Sequence, residues 1–260
     1  MKIHVFKCGS TFVDEALPLS NRYKNPLAFT GLFRKKHHQI EVPVNAFYIE
    51  GHNYKILVDT GWDPLVRKDA RRYEGFFNYF ASPGVLPKGE AVTEHLARLN
   101  VRIEDLDYVI LTHMDIDHIG GIGLVKNAKK IIVNEKEWEA SKAHNPRYLK
   151  RLWKNISITT FKDERIDLLG DGSIELIPLH GHSRGMTGVK VIHGDKYVII
   201  AGDSGYARES WEQEVLPGIT YNKQEAKASL KQLHTWGTDP NCLGILMAHD
   251  DEYINQIISL

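Results

Sequence analysis

The segment that most constrains this chain is Leu-Thr-His-Met-Asp-Ile-Asp-His-Ile-Gly-Gly, residues 111–121. Four side chains that can bind a metal fall within six residues here: His113, Asp115, Asp117 and His118. They follow an apolar run that begins at Tyr108, and a strand ending in a loop lets alternate side chains turn toward one point. Imidazole nitrogens and carboxylate oxygens suit Zn, Mn and Fe better than soft metals. The alternative is a polar loop whose His and Asp side chains only pair with each other.

Three downstream segments argue against that alternative, because each places a His or an Asp after an apolar run with glycine nearby. The residues are His182, Asp203 and His249. Taken alone, each histidine is more often a hydrogen-bonded structural residue than a ligand. Because α/β proteins bind ligands at the carboxyl ends of their strands, four such sites in one chain indicate a shared centre.

In order and approximate spacing, these segments resemble the metallo-β-lactamase superfamily. The series is Val58-Asp59-Thr60-Gly61, then the motif at 113–121, Gly181-His182-Ser183, Gly202-Asp203 and Ala248-His249-Asp250. Within the superfamily the chain looks most similar to the N-acyl homoserine lactonases. Tyr206 stands three residues after Asp203 as in those enzymes, residues 75–87 resemble their insert, and the closing His-Asp segment is similar.

The resemblance implies an α/β fold, the αββα sandwich of the superfamily, formed by residues 1–260 as a single domain. It implies two divalent metal ions, Zn or else Fe or Mn. One would be held by His113, Asp115 and His182, the other by Asp117, His118 and His249, with Asp203 bridging them.

The expected reaction opens the lactone ring of N-acyl homoserine lactones, or of related lactones, by attack of a hydroxide shared between the metals. Asp117 is expected to orient the nucleophile or carry a proton. Tyr206 is expected to donate to the carbonyl or alkoxide oxygen. Asp59 is expected to orient the ligands without binding metal, and Gly61, Gly120 and Gly121 to be turn positions.

Asp115 departs from the family motif His-x-His-x-Asp-His, in which its position holds a histidine. A carboxylate there adds negative charge and a harder donor, which favours Fe or Mn over Zn. The flavodiiron branch of the superfamily is similar in having a carboxylate at this position. A second departure is Met186, where many relatives have a histidine that is not usually a ligand.

Other functions stay open. The same metal pair would suit hydrolysis of another ester, a thioester or a phosphodiester, although a phosphodiesterase should show more basic residues than Arg34-Lys35-Lys36 near its pocket. A diiron redox protein is favoured only by Asp115, and the chain has no length left for the flavin domain of that branch. A catalytically silent binding module is disfavoured because all seven ligand positions hold metal-binding side chains.

Composition bounds the partners and the compartment. The chain has 33 basic and 33 acidic residues and a net charge of zero, which favours neither nucleic acid nor membrane surfaces. No apolar run is long enough for a transmembrane helix, and the first residues do not resemble a signal peptide. Cys8 and Cys242 lack metal or redox spacing. We expect a cytoplasmic protein that acts on a small-molecule lactone or ester. A homodimer is one of the assemblies compatible with the sequence.

Periodicity predicts strands over 2–7 (an edge strand), 43–49, 54–59, 107–112, 130–133, 156–161, 173–179, 188–193, 196–201 and 243–248. It predicts helices over 64–80, 90–99, 145–154 and 223–236, a helix after a capping box of Asn134 and Glu137, and a short C-terminal helix.

Residues 9–41 are predicted as a long irregular stretch and hence as a candidate functional loop. Its apolar residues either wall an acyl pocket, or plug the end of the sandwich or form a dimer contact. They are Leu17, Leu19, Leu27, Phe29, Leu32 and Phe33. The basic cluster 34–38 is expected to be a solvated loop near the pocket rim.

Overall fold

Two β-sheets organise the computed structural model, which describes residues 1–20, 25, 27–31, 34–51, 53–143, 145–162 and 165–260. In chain order the strands are β1 (Lys2–Asp14), β2 (Gln39–Glu50), β3 (Lys55–Val58), β4 (Gly84–Val85), β5 (Tyr108–Leu111), β6 (Ile131–Asn134), β7 (Thr159–Phe161), β8 (Ile166–Asp167), β9 (Ile174–Pro178), β10 (Thr187–His193), β11 (Lys196–Gly202), β12 (Cys242–Met247) and β13 (Ile257–Ser259). The α-helices are α1 (Val66–Ala81), α2 (Val92–Arg98), α3 (Ile116–Ile119), α4 (Glu135–Lys142), α5 (Arg208–Glu212) and α6 (Lys223–Gly237).

The larger sheet has the order β13-β1-β2-β3-β5-β6-β7, with β4 paired to β1, and the smaller has the order β12-β11-β10-β9-β8. β3, β5, β6 and β7 run parallel to one another, and β11 runs parallel to β12. The carboxyl ends of β3 and β5 therefore meet at one edge of their sheet, and those of β11 and β12 at one edge of the other.

The side chains of β5 show how the layers form. Ile110 packs between the two sheets with residues such as Val198 and Leu246. Val109 and Leu111 point the other way and pack against α2 and α4. On the far face of the smaller sheet, β11 and β12 pack against α5 and α6. The layers are thus helices, sheet, sheet and helices, which confirms the predicted αββα sandwich.

The long irregular stretch predicted for 9–41 is wrong at both ends. β1 continues to Asp14 and β2 begins at Gln39, and the two strands pair through both segments. The alternation of apolar and polar residues that predicts β1 ends near Gly9, where the pairing register shifts between Lys7 and Ser10 and the backbone has a φ of 95°. A bulge of this kind ends the simple alternation without ending the strand. The connection itself spans residues 15–38.

Three other predictions need correction. β1 is not an edge strand, because β13 pairs along its outer side, and the same β13 replaces the predicted C-terminal helix. Residues 145–154 hold only a short 3-10 turn, Lys150–Leu152. Pro146 lacks a backbone N–H and disfavours the helical conformation in the residue before it. The small elements β4, β8, α3 and α5 were not predicted.

The remaining strands and the helices α1, α2, α4 and α6 lie where they were predicted, within a few residues. The turn of the hairpin β2-β3 includes His52, which is outside the described residues. No helix among the described residues is both long and apolar enough to span a membrane.

Candidate metal centre

Seven side chains that follow four strands, β5, β9, β11 and β12, converge at the common edge of the two sheets. Three overlapping sets of residues can be distinguished, and within each set the donor atoms lie within 4.8 Å of one another. The sets are His113, Asp115 and His182; His113, His118 and Asp203; and Asp117, His118 and His249. We call the first set the first position and the last set the second position. All seven predicted ligands are therefore brought together, and Asp203 lies between the two positions.

Hydrogen bonds orient the imidazoles of the second position. The Nδ1 atom of His118 donates to Asp59 Oδ2 at 2.8 Å, and that of His249 donates to the carbonyl of Pro43 at 2.8 Å. In the neutral form of each ring, Nε2 then carries the lone pair that faces the centre. Such partners fix the orientation and basicity of metal-binding histidines. The predicted role of Asp59 is confirmed by this contact.

Asp59 also braces the motif loop. Its Oδ1 accepts from the backbone N–H of Thr112 and its Oδ2 from the Thr112 hydroxyl, each at 2.8 Å. The residue adopts a left-handed φ of 60° and is fully buried. A non-glycine residue holds that conformation only where its surroundings enforce it, which is common at functional sites.

Unpaired buried atoms mark what the centre is built to hold. His113 Nε2, His118 Nε2 and Asp203 Oδ1 are buried and make no hydrogen bond among the described residues, although His118 Nε2 and Asp203 Oδ1 lie 3.1 Å apart. Buried polar atoms are nearly always paired, so each orphan requires a reason. These three atoms belong to the central set of donors. A divalent cation would satisfy all of them at once, so the donor set fits the metals that the sequence predicts.

The first position differs because a guanidinium contacts it. Arg147 forms a two-pronged ion pair with Asp115, in which Nε bonds Oδ1 and Nη2 lies 2.7 Å from Oδ2. The same Nη2 lies 2.8 Å from His182 Nε2. Because His182 Nδ1 donates to the carbonyl of Ile219 at 3.1 Å, its Nε2 is the lone pair that accepts from Arg147.

The two positions differ in the charge of the groups around their donors. Burial alone would lower the pKa of His118, but Asp203, Asp117 and Asp59 outweigh it and raise that pKa well above its usual value. Burial lowers the pKa of His182, and the charge of Arg147 lowers it further. Burial opposes ionisation of Asp115 as well, yet Arg147 and His113 hold the pKa of its carboxyl well below the usual range.

Tyr206 lies beside the second position, where its ring stacks on that of His249 with centroids 4.7 Å apart. Burial, together with the charges of Asp203 and Asp117, raises the pKa of its phenol well above the usual value. The hydroxyl is therefore protonated at neutral pH and available as a donor.

A cavity of about 330 Å³ opens over the centre. Asp115, Asp117, Tyr206 and His249 lie at its base. Its apolar wall comes from four parts of the chain and includes Val13, Leu17, Phe77, Ile116 and Ile219. Of the predicted acyl-wall residues that the structure describes, Leu17 alone lines this cavity.

The other apolar residues of the 15–38 connection lie elsewhere or are not described. Leu27 and Phe29 line a separate cleft with Leu216 and Pro217. Leu19 is half-buried and lines neither space, whereas Leu32 and Phe33 fall outside the described residues. In the basic cluster, Arg34 bonds Asp14 and Glu15, and His38 bonds Glu15. That cluster does not line the cavity over the centre.

Two contributors were missed by the sequence analysis. One is Arg147, and the other is Glu137, which is fully buried. The Glu137 carboxylate accepts from the backbone N–H groups of Met114 and Gly185, at 3.1 and 3.0 Å, and so ties the motif loop to the loop of His182. Only one half of the predicted capping box is confirmed. The Asn134 side chain caps the start of α4, whereas the Glu137 carboxylate bonds the two loops.

Glycines allow the motif loop to pack closely on the turn after β3. Gly61 has a φ of 60°, and a Cβ there would lie 2.2 Å from that of Cys8. Gly120 and Gly121 have no positive φ, but a Cβ on either would lie within 2.8 Å of a backbone oxygen, of Gly61 and Thr60 respectively. Only Gly61 is the predicted kind of turn position. The other two are needed for space.

Known proteins share this sequence pattern and fold. Residues 40–239 match the model of the metallo-beta-lactamase superfamily. An N-acyl homoserine lactonase of a Bacillus species is 31% identical over 201 residues, covering 75% of this chain and 76% of that protein.

Solved structures of lactone-hydrolysing enzymes have a similar fold. A structure of an N-acyl homoserine lactone hydrolase, with the product N-hexanoyl-L-homoserine bound at its catalytic metal center, aligns with a TM-score of 0.79 and 23% identity over 96% of this chain and 94% of that one. AidC, a dizinc quorum-quenching lactonase, aligns with a TM-score of 0.65 and 16% identity over 96% and 87%.

Proposed function

Because the chain belongs to the metallo-beta-lactamase superfamily, we propose that it is a metal-dependent hydrolase that opens the lactone ring of N-acyl homoserine lactones. The observation that carries the proposal is the convergence of seven donors, three of them with orphaned buried atoms, at the base of a cavity with an apolar wall. A reactive polar centre beneath an apolar wall suits a substrate with a polar ring and an acyl chain.

We propose that His113, Asp115 and His182 would hold one divalent cation and that Asp117, His118 and His249 would hold the other, with Asp203 as a further donor between the two sets. Such a pair supplies Lewis acidity, which lowers the pKa of water and polarises a carbonyl. The dizinc centre of AidC, a structural neighbour, supports zinc as the first metal to test.

The side chains around the centre prepare it for that chemistry. Asp59 and the carbonyl of Pro43 retain the Nδ1 protons of His118 and His249, so that both Nε2 lone pairs face inward. Asp117 is the carboxylate of the second position, is more exposed than Asp203 and lines the cavity. We assign it the orientation of the attacking water and the acceptance of its proton.

Ring opening adds one water across the ester bond. The water oxygen bonds to the carbonyl carbon, the bond from that carbon to the ring oxygen breaks, and the alkoxide formed takes up a proton. The products are a carboxylate and an alcohol within one molecule. Tyr206, protonated and at the cavity base, is assigned the hydrogen bond to the carbonyl or alkoxide oxygen.

The apolar wall indicates where the acyl chain would lie. Leu17 approaches from the 15–38 connection, Phe77 from α1 and Ile219 from the segment before α6. Asn145 also lines this cavity, and its side-chain amide is assigned the hydrogen bond to the substrate amide.

The basic residues do not favour a phosphodiester substrate. Arg34 is engaged with Asp14 and Glu15, and Arg147 with Asp115 and His182. A phosphate diester needs unengaged positive charge near the metals, so the lactone ranks ahead.

The testing experiment is proton release from a panel of acyl homoserine lactones of increasing chain length, added to zinc-reconstituted protein. Acidification that a chelator abolishes, and that the His118→Ala variant lacks, is the expected result. Release that persists in chelated protein would contradict metal dependence. No release, with zinc bound by mass spectrometry, would remove the lactone and turn the search to other esters.

We also propose a cytoplasmic location and a homodimer. Both cysteines, Cys8 and Cys242, are free thiols, which suits a reducing compartment. The exposed aromatic face of α1, formed by Phe76, Phe77 and Phe80, is the surface that would pair. Sedimentation at several concentrations, with Phe80→Ser beside the native chain, tests the dimer.

A further inference from the structure

We infer that Arg147 is a resident cation of the first position, so that the two positions bind divalent metal with unequal affinity and the first is filled last. The inference rests on the proposed metal centre and concerns how that centre is loaded. The resident cation is carried by the segment between α4 and β7, which no motif marks.

Geometry is the first argument. Asp115 Oδ2 lies 3.2 Å from His113 Nε2 and 3.1 Å from His182 Nε2, which is the spacing of atoms that share one ion. Arg147 Nη2 bonds two of those three atoms, Asp115 Oδ2 and His182 Nε2. A metal that uses His182 Nε2 as a ligand must take over the lone pair to which Arg147 donates.

The fit of Arg147 is the second argument. The guanidinium bonds both oxygens of Asp115, and Nη1 also donates to the backbone carbonyl of His182 at 3.3 Å. Its carbon lies 5.6 Å from the centre of the Tyr148 ring. A forked ion pair and a contact with an aromatic ring fix the guanidinium in this place, and the group keeps its charge at every accessible pH.

The second position has no equivalent. The ion pairs of Asp117 within the described part of the chain are with His118 and His249, and His118 pairs further with Asp59 and Asp203. Each of those groups favours a cation at the centre. Like charges repel strongly where water is excluded, so Arg147 lowers the affinity of its own position more than that of its neighbour.

The test is a zinc titration of metal-free protein against a chromophoric chelator, with bound zinc counted by mass spectrometry. The native chain is expected to bind two equivalents in two separate steps. In Arg147→Met the weaker step should tighten by about tenfold or more, because the competing charge is gone, while the tighter step stays within about threefold.

Two further variants assign the cause. Arg147→Lys keeps the charge and should keep the weak step weak. Arg151→Met removes a guanidinium of the same segment that lies over the Tyr73 ring at 5.2 Å, away from the donors, and should leave both steps unchanged. If Arg147→Met does not fold, Arg147→Gln removes the charge while keeping a donor for Asp115.

Three results would overturn the inference: two equal steps in the native chain, an unchanged weak step in a folded Arg147→Met or Arg147→Gln, or loss of the second equivalent in those variants. The last would mean that the guanidinium supports the metal rather than competing with it. Because no lactone is used, the titration can fail while the proposed reaction stands, and the reaction can fail while the two steps are observed.

Discussion

The two metal positions have equal numbers of donors and nearly equal burial, yet opposite electrostatics. Each has two buried imidazoles and one partly exposed carboxylate, with side-chain exposures of 17% for Asp115 and 18% for Asp117. In the second position Asp59 adds a further carboxylate behind His118, whereas in the first Arg147 adds a guanidinium in front of Asp115. Donor type alone therefore does not predict affinity, because the groups that contact the donors set the local charge.

His118→Ala should have the largest effect, since it removes a donor from the more negative position. Turnover should fall by about a thousandfold or more, and bound metal from two equivalents to one. Kinetics and elemental analysis measure both. His193→Ala, at an exposed site on β10, is the control that should change neither. Full activity in His118→Ala would exclude a mechanism that needs two metals.

Tyr206→Phe separates catalysis from metal binding within the same position. Loss of one preorganised donor should reduce the rate by about a hundredfold. Metal content should not change, because the phenol contacts His249 through its ring and the phenylalanine keeps that stacking. A rate equal to that of the native chain would leave Tyr206 with a packing role only.

Asp59→Asn tests whether the second position depends on the carboxylate behind it. The amide can no longer accept from Thr112 and His118 with two charged oxygens, so the affinity of the tighter zinc step should fall by about 10- to 100-fold. The zinc titration described above measures it. An equal loss in both steps would mean that Asp59 supports the whole loop and not one position.

Asp115→His would give the first position three imidazole donors and so make its donor set differ from that of the second position. We expect a shift in preference toward Zn relative to Mn or Fe, by about tenfold, because a softer neutral donor replaces a carboxylate. The measurement is competitive loading from equimolar metals. The double variant with Arg147→Met controls for the guanidinium that the single change leaves unpaired. Unchanged selectivity in both would refute a selective role for Asp115.

The smallest expected effect concerns Glu74 of α1. Burial, partly offset by the hydrogen bond from Gly84 N–H and reinforced by Asp117, raises its pKa to about 7. The folded state therefore binds its proton more tightly than the unfolded state, and stability should decline as pH rises from about 5 to 8. In Glu74→Gln that decline should be smaller in metal-free protein. Parallel melting curves for the two chains would contradict the assignment.

Sequence patterns predicted the donors and the layers for one physical reason. His113 and His249 follow strands that are mainly apolar runs, and His182 follows a strand with alternating apolar residues; both patterns are recognisable without a structure. The pairing of donors into two positions and the apolar wall near Leu17 came from resemblance and from composition, and only the contacts of the folded chain could test them.

What escaped prediction had no local signal. Arg147 is a common residue type in no motif, and it reaches the centre because the chain folds back between α4 and β7. Glu137 was predicted only as part of a helix cap, and its role in joining two loops depends on where α4 packs. β1 was cut short by a bulge at Gly9, and β13 is too short for its periodicity to distinguish strand from helix. Long-range contacts of this kind depend on the whole fold.

The forked pair of Asp115 and Arg147 also constrains how this protein can change by mutation. Replacing either residue alone leaves a charge in a mostly buried place without its partner, which is costly even when the double replacement is not. Substitutions at these two residues, which lie 32 residues apart in the chain, should therefore show strong epistasis. A lineage that exchanges histidine and aspartate at position 115 would be expected to gain or lose the arginine in close succession.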